Sequence, residues 1–158
     1  MQGYLKLAKK LDIAKKLDIA KKLVIAVQQL HQTNKLHLHI NPHNIKYNAA
    51  NNQLKLVNNQ LPISSPHTWD IKALAYIAPE QITLATTAPS HLSDIYSIGA
   101  TMYYMFTSKH PVNGKDYMAM CNAHLAAAPT PADQIDNEIP AIISTIISKL
   151  LSKNASDR

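Results

Sequence analysis

Residues Leu36-His37-Leu38-His39-Ile40-Asn41-Pro42-His43-Asn44-Ile45 constrain this chain more than any other stretch. They read as a short apolar strand, a polar loop turned at Pro42, and the start of a second strand. Three histidines and two asparagines fall within nine residues, so hydrogen-bonding side chains sit beside apolar ones. That pattern predicts a packed loop with a polar core. His37 and His39 share a face if the segment is extended, which makes them, with His43, a candidate metal set. Neither a cysteine nor a paired carboxylate accompanies them, so the composition argues against zinc.

Upstream, residues 4 to about 32 have the pattern of one long helix. Ile13, Leu17, Ala20, Val24 and Val27 recur at spacings of four and three and share a face. Asp12 to Lys16 and Asp18 to Lys22 are acid-before-base pairs at i,i+4, each worth about 0.3–0.5 kcal/mol. Within this helix Lys-Lys-Leu-Asp-Ile-Ala occurs at 9–14 and again at 15–20, and Lys-Lys-Leu-Val-Ile-Ala follows at 21–26. Six residues turn a helix by about 600°, so each copy is rotated about 120° from the last and the copies cannot all bury the same side chains. Only the third copy, where Val24 replaces aspartate, is built for a core. The earlier copies lengthen the helix outward, so residues 1–13 are read as a basic helical extension and 14–158 as the folded domain.

Downstream, Ile45-Lys46-Tyr47 and Leu54-Lys55-Leu56-Val57 flank a turn-rich 48–53 and predict a hairpin. Residues 58 to about 72 hold two prolines and two serines and predict an irregular segment. Pro79 in a first turn opens a short helix. Ser93-Asp94 caps another, whose wide apolar face through Ile95, Ile98, Met102, Met105 and Phe106 suits a buried central position. Helices near 115–127 and 139–152 complete the chain, joined through Pro129 and Pro131. The low glycine count, three, fits a mainly α chain with one small β-hairpin.

The net charge of +6 comes mostly from the first helix, where seven lysines face two aspartates. A basic face confined to one helix is usually solvated, which argues against nucleic acid or anionic lipid as its partner. Cys121 stands alone, so an internal disulfide is impossible and a reducing compartment is the default. No run approaches the roughly 18 apolar residues of a membrane span. Lysines interrupt the N-terminal apolar runs, unlike a secretory signal, and the expected location is cytoplasmic.

The order of elements and four anchors resemble the C-terminal lobe of eukaryotic-type serine/threonine protein kinases. The anchors are the His37-to-Ile45 loop, Tyr76-Ile77-Ala78-Pro79-Glu80, Ser93-Asp94-Ile95-Tyr96-Ser97-Ile98-Gly99, and the terminal Leu150 to Arg158. The Ile-Asn-Pro-x-Asn-Ile wording at 40–45 is similar to the kinase-like domains of large bacterial signalling ATPases. On the family pattern H-R-D-x-x-x-x-N, His37 and Asn44 are kept, Leu38 replaces arginine, and His39 replaces the catalytic aspartate. At D-F-G the chain reads Asn58-Asn59-Gln60, and a neutral asparagine is a poor substitute for a carboxylate on Mg²⁺. Ala73 and Lys72 replace the threonine and glycine of the activation segment, and Lys46 replaces the aliphatic floor under adenine.

The resemblance also implies structural roles. Glu80 and Arg158 match a buried ion pair, Asp94 an acceptor for the catalytic-loop backbone, and His37 a residue packed beneath that loop. Structural positions are kept and chemical ones are replaced. The expected function is therefore a catalytically impaired, pseudokinase-like C-lobe acting as a regulatory or scaffolding module in signalling, with neither ATP nor Mg²⁺ bound. Its N-lobe and the family's final helix are expected to be absent, and its expected partner is another protein or the missing N-lobe or a neighbouring domain. The alternative is a fragment or divergent copy of an active serine/threonine kinase, for which ATP and Mg²⁺ would be cofactors. His39 as a surrogate base and Ser64, Ser65 or Thr68 as phosphorylation sites are weaker readings. Trp69, Met102, Tyr103, Tyr104 and Met105 read as packing residues, and Cys121 as inert.

Overall fold

The structure is a computed structural model that describes residues 11–57, 71–82 and 88–158. In chain order the elements are α1 (Ile13–Gln32), β1 (Ile45–Asn48), β2 (Gln53–Leu56), α2 (Ile71–Leu74), α3 (Pro79–Ile82), α4 (His91–Thr107), α5 (Tyr117–Ala126), α6 (Ala132–Ile135) and α7 (Ala141–Leu150), with a last 3-10 turn at Ala155–Asp157. β1 and β2 pair antiparallel with Ile45 opposite Leu56 and Lys46 opposite Lys55. The fold is mainly helical with one hairpin, as the sequence pattern predicts.

Several expectations need correcting. Of the long helix expected over residues 4 to about 32, the described part is Ile13–Gln32, and residues 1–10 lie outside the described residues. Asp12 is its N-cap, with its carboxylate accepting from the Lys15 backbone N–H at 2.7 Å. That cap takes the Asp12 side chain away from Lys16, while Asp18 and Lys22 do pair at 2.8 Å. The buried stripe of α1 is Ile19, Ala20, Leu23 and Val27, whereas Leu17 and Val24 are exposed. Two stripes of equal periodicity lie on this helix, and the one that meets α4 and the hairpin is buried. The third hexad copy therefore contributes Leu23, not Val24, and the second contributes Ile19 and Ala20.

Residues 35–40 form no strand. Leu38 has φ of 60°, a left-handed conformation that breaks any ladder there. Helix α4 is capped by Ser90, with Ser93 closing a reciprocal capping box, so Ser93 and Asp94 lie inside the first turn. Residues 58–70, expected to be irregular and including Asn58, Ser64, Ser65, Thr68 and Trp69, lie outside the described residues.

Helix α4 is buried nearly all round and forms the axis of the core. It packs against α1 on one side and α7 on another. The α7 approach is close: a Cβ on Gly99 would fall 2.7 Å from Leu150 Cβ, so only glycine fits at that point. Tyr96, near the start of α4, donates to His124 Nδ1 at 3.3 Å, and His124 Nε2 donates to the Leu74 carbonyl at 2.9 Å. Those two bonds fix the neutral tautomer and tie α5 to α2 through the core. Met102, Tyr103 and Met105 are buried core residues, and Tyr104 packs against that core.

Candidate functional site

The 37–44 loop is held from three directions. From α4, Asp94 accepts from the His37 N–H at 2.9 Å and the Leu38 N–H at 2.6 Å, and its Oδ2 lies 2.8 Å from His31 Nε2. From α3, Gln81 Nε2 donates to the Leu38 carbonyl at 3.0 Å. Within the loop, Asn41 Oδ1 accepts from the His43 N–H at 2.9 Å, an Asx-turn that Pro42 supports. These contacts hold Leu38 in its left-handed conformation, which an L-residue adopts only at a cost.

His39 sits at the centre of the loop with its backbone pinned on both sides. Its N–H donates to His37 Nδ1 at 3.3 Å. Its carbonyl accepts from Asn44 Nδ2 at 2.9 Å and from Asn41 Nδ2 at 3.2 Å. The half-buried His39 imidazole is held below its ordinary pKa, first by burial and then by His37. It is therefore neutral at physiological pH and brings no negative charge to the loop.

His37 is buried beneath the loop with Nδ1 turned to the His39 N–H. Burial lowers its pKa, and Asp94 and the Val57 backbone oppose that shift. Its Nε2 makes no hydrogen bond of good geometry with that backbone. Among the described residues no group of three histidine, cysteine, aspartate or glutamate side chains is placed to hold a metal.

The second centre lies where the chain closes on itself. Arg158 meets Glu80 in a bidentate pair, Nη1 to Oε1 at 2.7 Å and Nη2 to Oε2 at 3.0 Å. Its other donors reach the carbonyls of Leu92, Ser152 and Lys153, so all five guanidinium N–H groups are used. Ser93 Oγ donates to Glu80 Oε1 at 2.7 Å, and the guanidinium lies 5.0 Å from the Tyr96 ring centroid. Burial alone would push the Glu80 carboxyl up, but the Arg158 and Ser93 hydrogen bonds outweigh it and hold the pKa below its ordinary value.

A family model described as the protein kinase domain matches residues 2–158. The chain belongs to the protein kinase family. It is 25% identical over 136 residues to the serine/threonine-protein kinase PknB of Mycolicibacterium smegmatis, covering 81% of this chain and 21% of that protein. It is 28% identical over 140 residues to the serine/threonine-protein kinase PrkC of Bacillus subtilis, covering 84% of this chain and 21% of the relative. It is also 32% identical over 83 residues to the hybrid signal transduction histidine kinase G of Dictyostelium discoideum, covering 52% of this chain and 2% of the relative. The chain thus spans about a fifth or less of these relatives.

Members of this family use Mg²⁺ with ATP, and among the described residues the loop places no carboxylate for that ion. No aspartate or glutamate occurs between Asp18 and Asp70. The loop offers imidazoles and amides where a hard cation favours charged oxygen. Glu80, Asp94 and Arg158 are brought to the loop and its support, while Asn58 lies outside the described residues. Sequence reasoning missed His31, Asn41 and Gln81. Asn41-Pro42 carried a turn signal that could have found the Asx-turn. His31 and Gln81 act through tertiary contacts with no local signature.

Proposed function

We propose that this chain is a catalytically impaired, pseudokinase-like C-lobe that acts as a regulatory or scaffolding binding module in signalling. The observation that carries the proposal is His39. Its backbone is held by His37, Asn41 and Asn44 within a loop anchored on Asp94, while its side chain is a neutral imidazole where the family pattern has a carboxylate. Loss of a general base typically costs 10²–10⁴-fold, and loss of the metal carboxylate removes charge compensation as well. The reading needs no bound ATP or Mg²⁺ and takes another protein or domain as partner. No helix among the described residues is long and apolar enough to cross a membrane, and the proposed site of action is the cytoplasm.

A second reading follows from the relatives, which are named as serine/threonine kinases. In it the chain is part of an active phosphotransferase whose remaining lobe lies elsewhere, and His39 serves as base. Calorimetric titration of the protein with Mg-ATP separates the two, together with a phosphotransfer assay on a generic protein substrate. The module reading expects no heat of binding and no transferred phosphate. Micromolar Mg-ATP binding, or phosphotransfer abolished by His39→Ala, would overturn it.

A further inference from the structure

The face of the hairpin turned away from the core carries an arrangement that costs stability and has no ion pair to offset it among the described residues. Lys46 and Lys55 are register partners across β1 and β2, so their side chains lie on one face directly opposite each other. Like charges so placed repel. Lys46 is half-buried, and no ion pair or hydrogen bond joins either side chain to a described residue. They border a cleft of about 680 Å³ between α1 and the hairpin, whose third cation is Lys22. No carboxylate lines the cleft, and Asp18, which pairs with Lys22 at 2.8 Å, is already shared with Lys15 at 3.2 Å. The whole span from 19 to 69 contributes lysines and no acid, so no neighbouring stretch of sequence supplies a counter-charge to Lys46 and Lys55.

The rest of the cleft is not a generic basic patch. Ile25, 42% exposed, lies with Ala26 and Leu54 along it, and side-chain amides including Asn48 and Gln53 line its edge. Three cations, an apolar strip and amides able to meet a peptide backbone suit one kind of occupant. We propose that the cleft between α1 and the hairpin docks an acidic peptide segment of a partner protein, carboxylates on Lys46 and Lys55 and an apolar side chain on Ile25. Nucleic acid fits less well, because no aromatic ring lines the cleft to stack a base. This rests on the binding-module reading and names the chemistry of the partner.

The test uses the full chain and fluorescence anisotropy with a short fluorescein-labelled peptide alternating glutamate and leucine. The expected result is saturable binding that weakens about tenfold or more as salt rises from about 0.05 to 0.5 M. Lys55→Glu, at an exposed position, should weaken binding at least about tenfold. The same change should raise Tm slightly, because the cross-strand repulsion becomes attraction. Ile25→Ser should weaken binding while leaving its salt dependence unchanged. Unaltered affinity in Lys55→Glu overturns the proposal. So does equal binding of a lysine–leucine peptide, or stronger binding of a poly-dT oligonucleotide that displaces the acidic one. A parallel Mg-ATP titration reports on the module reading separately. Peptide failure with no ATP binding rejects the docking site alone, and ATP binding rejects the module reading whatever the peptide does.

Discussion

Two charged regions of this molecule are built on opposite principles. At the Glu80–Arg158 centre both charges are withdrawn from water, every guanidinium donor is used, and the pair joins α3, the start of α4 and the chain's last turn. At the α1–hairpin cleft three lysines converge without an answering carboxylate beyond the one Asp18 shares. A paired buried charge fixes structure and leaves nothing for a ligand. Charges with no carboxylate of their own among the described residues, as on Lys46 and Lys55, fix little and remain available. The contrast locates rigidity at the support of the loop and recognition capacity at the face beside it.

The largest effect should come from breaking the buried centre. Glu80→Ala leaves the Arg158 guanidinium covered and without its carboxylate, and the expected loss is about 3–5 kcal/mol of unfolding free energy. Denaturant titration measures it. A loss below about 1 kcal/mol would mean that Arg158 finds water or another acceptor, and that the centre is less rigid than its hydrogen bonds indicate.

Asp94→Ala attacks the same support from the loop side. It strands the buried N–H groups of His37 and Leu38, and the expected cost is about 3 kcal/mol. Asp94→Asn should cost less, because the amide oxygen still accepts. A comparable contribution depends on pH. His124 is buried, and burial first and the Lys153 ammonium second push its pKa down to about 4 from 6.5. The folded value lies below the unfolded one, so the unfolded chain takes up a proton first as pH falls. Stability is fully present above about pH 6.5 and drains away down to about pH 4, by about 3 kcal/mol. His37 and His39 are shifted in the same direction and add to the slope. His124→Gln should leave a visibly shallower dependence of unfolding free energy on pH between 6.5 and 4. An unchanged slope would place the proton uptake elsewhere.

The parts of the fold set by local chemistry were legible in the residues. Pro79 opening α3, the apolar breadth of α4 and the alternating hairpin around a turn-rich 48–53 each follow from propensity and period. Glu80 and Arg158 are 78 positions apart, and only the family resemblance brought them together in advance. The errors share a cause. Val24 and Leu23 are both apolar and on plausible stripes of α1, and the choice between them belongs to α4 and the hairpin, which no local pattern contains. The segment 36–40 has strand-like composition, but Asp94 and Gln81 take up its backbone groups and Leu38 turns left-handed. The i,i+4 spacing of Asp12 and Lys16 allows a salt bridge. Capping won because a helix N-terminus offers unsatisfied N–H groups to any nearby carboxylate. Lys46 facing Lys55 was equally hidden, since a cross-strand pair appears only once the register is known.

The smallest effect sharpens the comparison most. Asp18, like Glu80, is a carboxylate with cationic partners: Lys22 foremost and then Lys15 hold its pKa down at about 2. Counting contacts would rank it with the Glu80 centre. Its side chain, however, is 34% exposed against 9% for Glu80. Water and salt screen the exposed pair, and two long lysine side chains lose freedom to make it. Asp18→Asn should therefore leave the melting temperature within the scatter of the measurement, and any shift should vanish in high salt. The same change frees Lys22 at the edge of the cleft, so it should strengthen binding of the glutamate–leucine peptide. A large loss of stability in Asp18→Asn would show that α1 is held to the hairpin by charge. An unchanged one leaves Ile19, Leu23 and Val27 as what holds the helix, and the lysines above them free to bind.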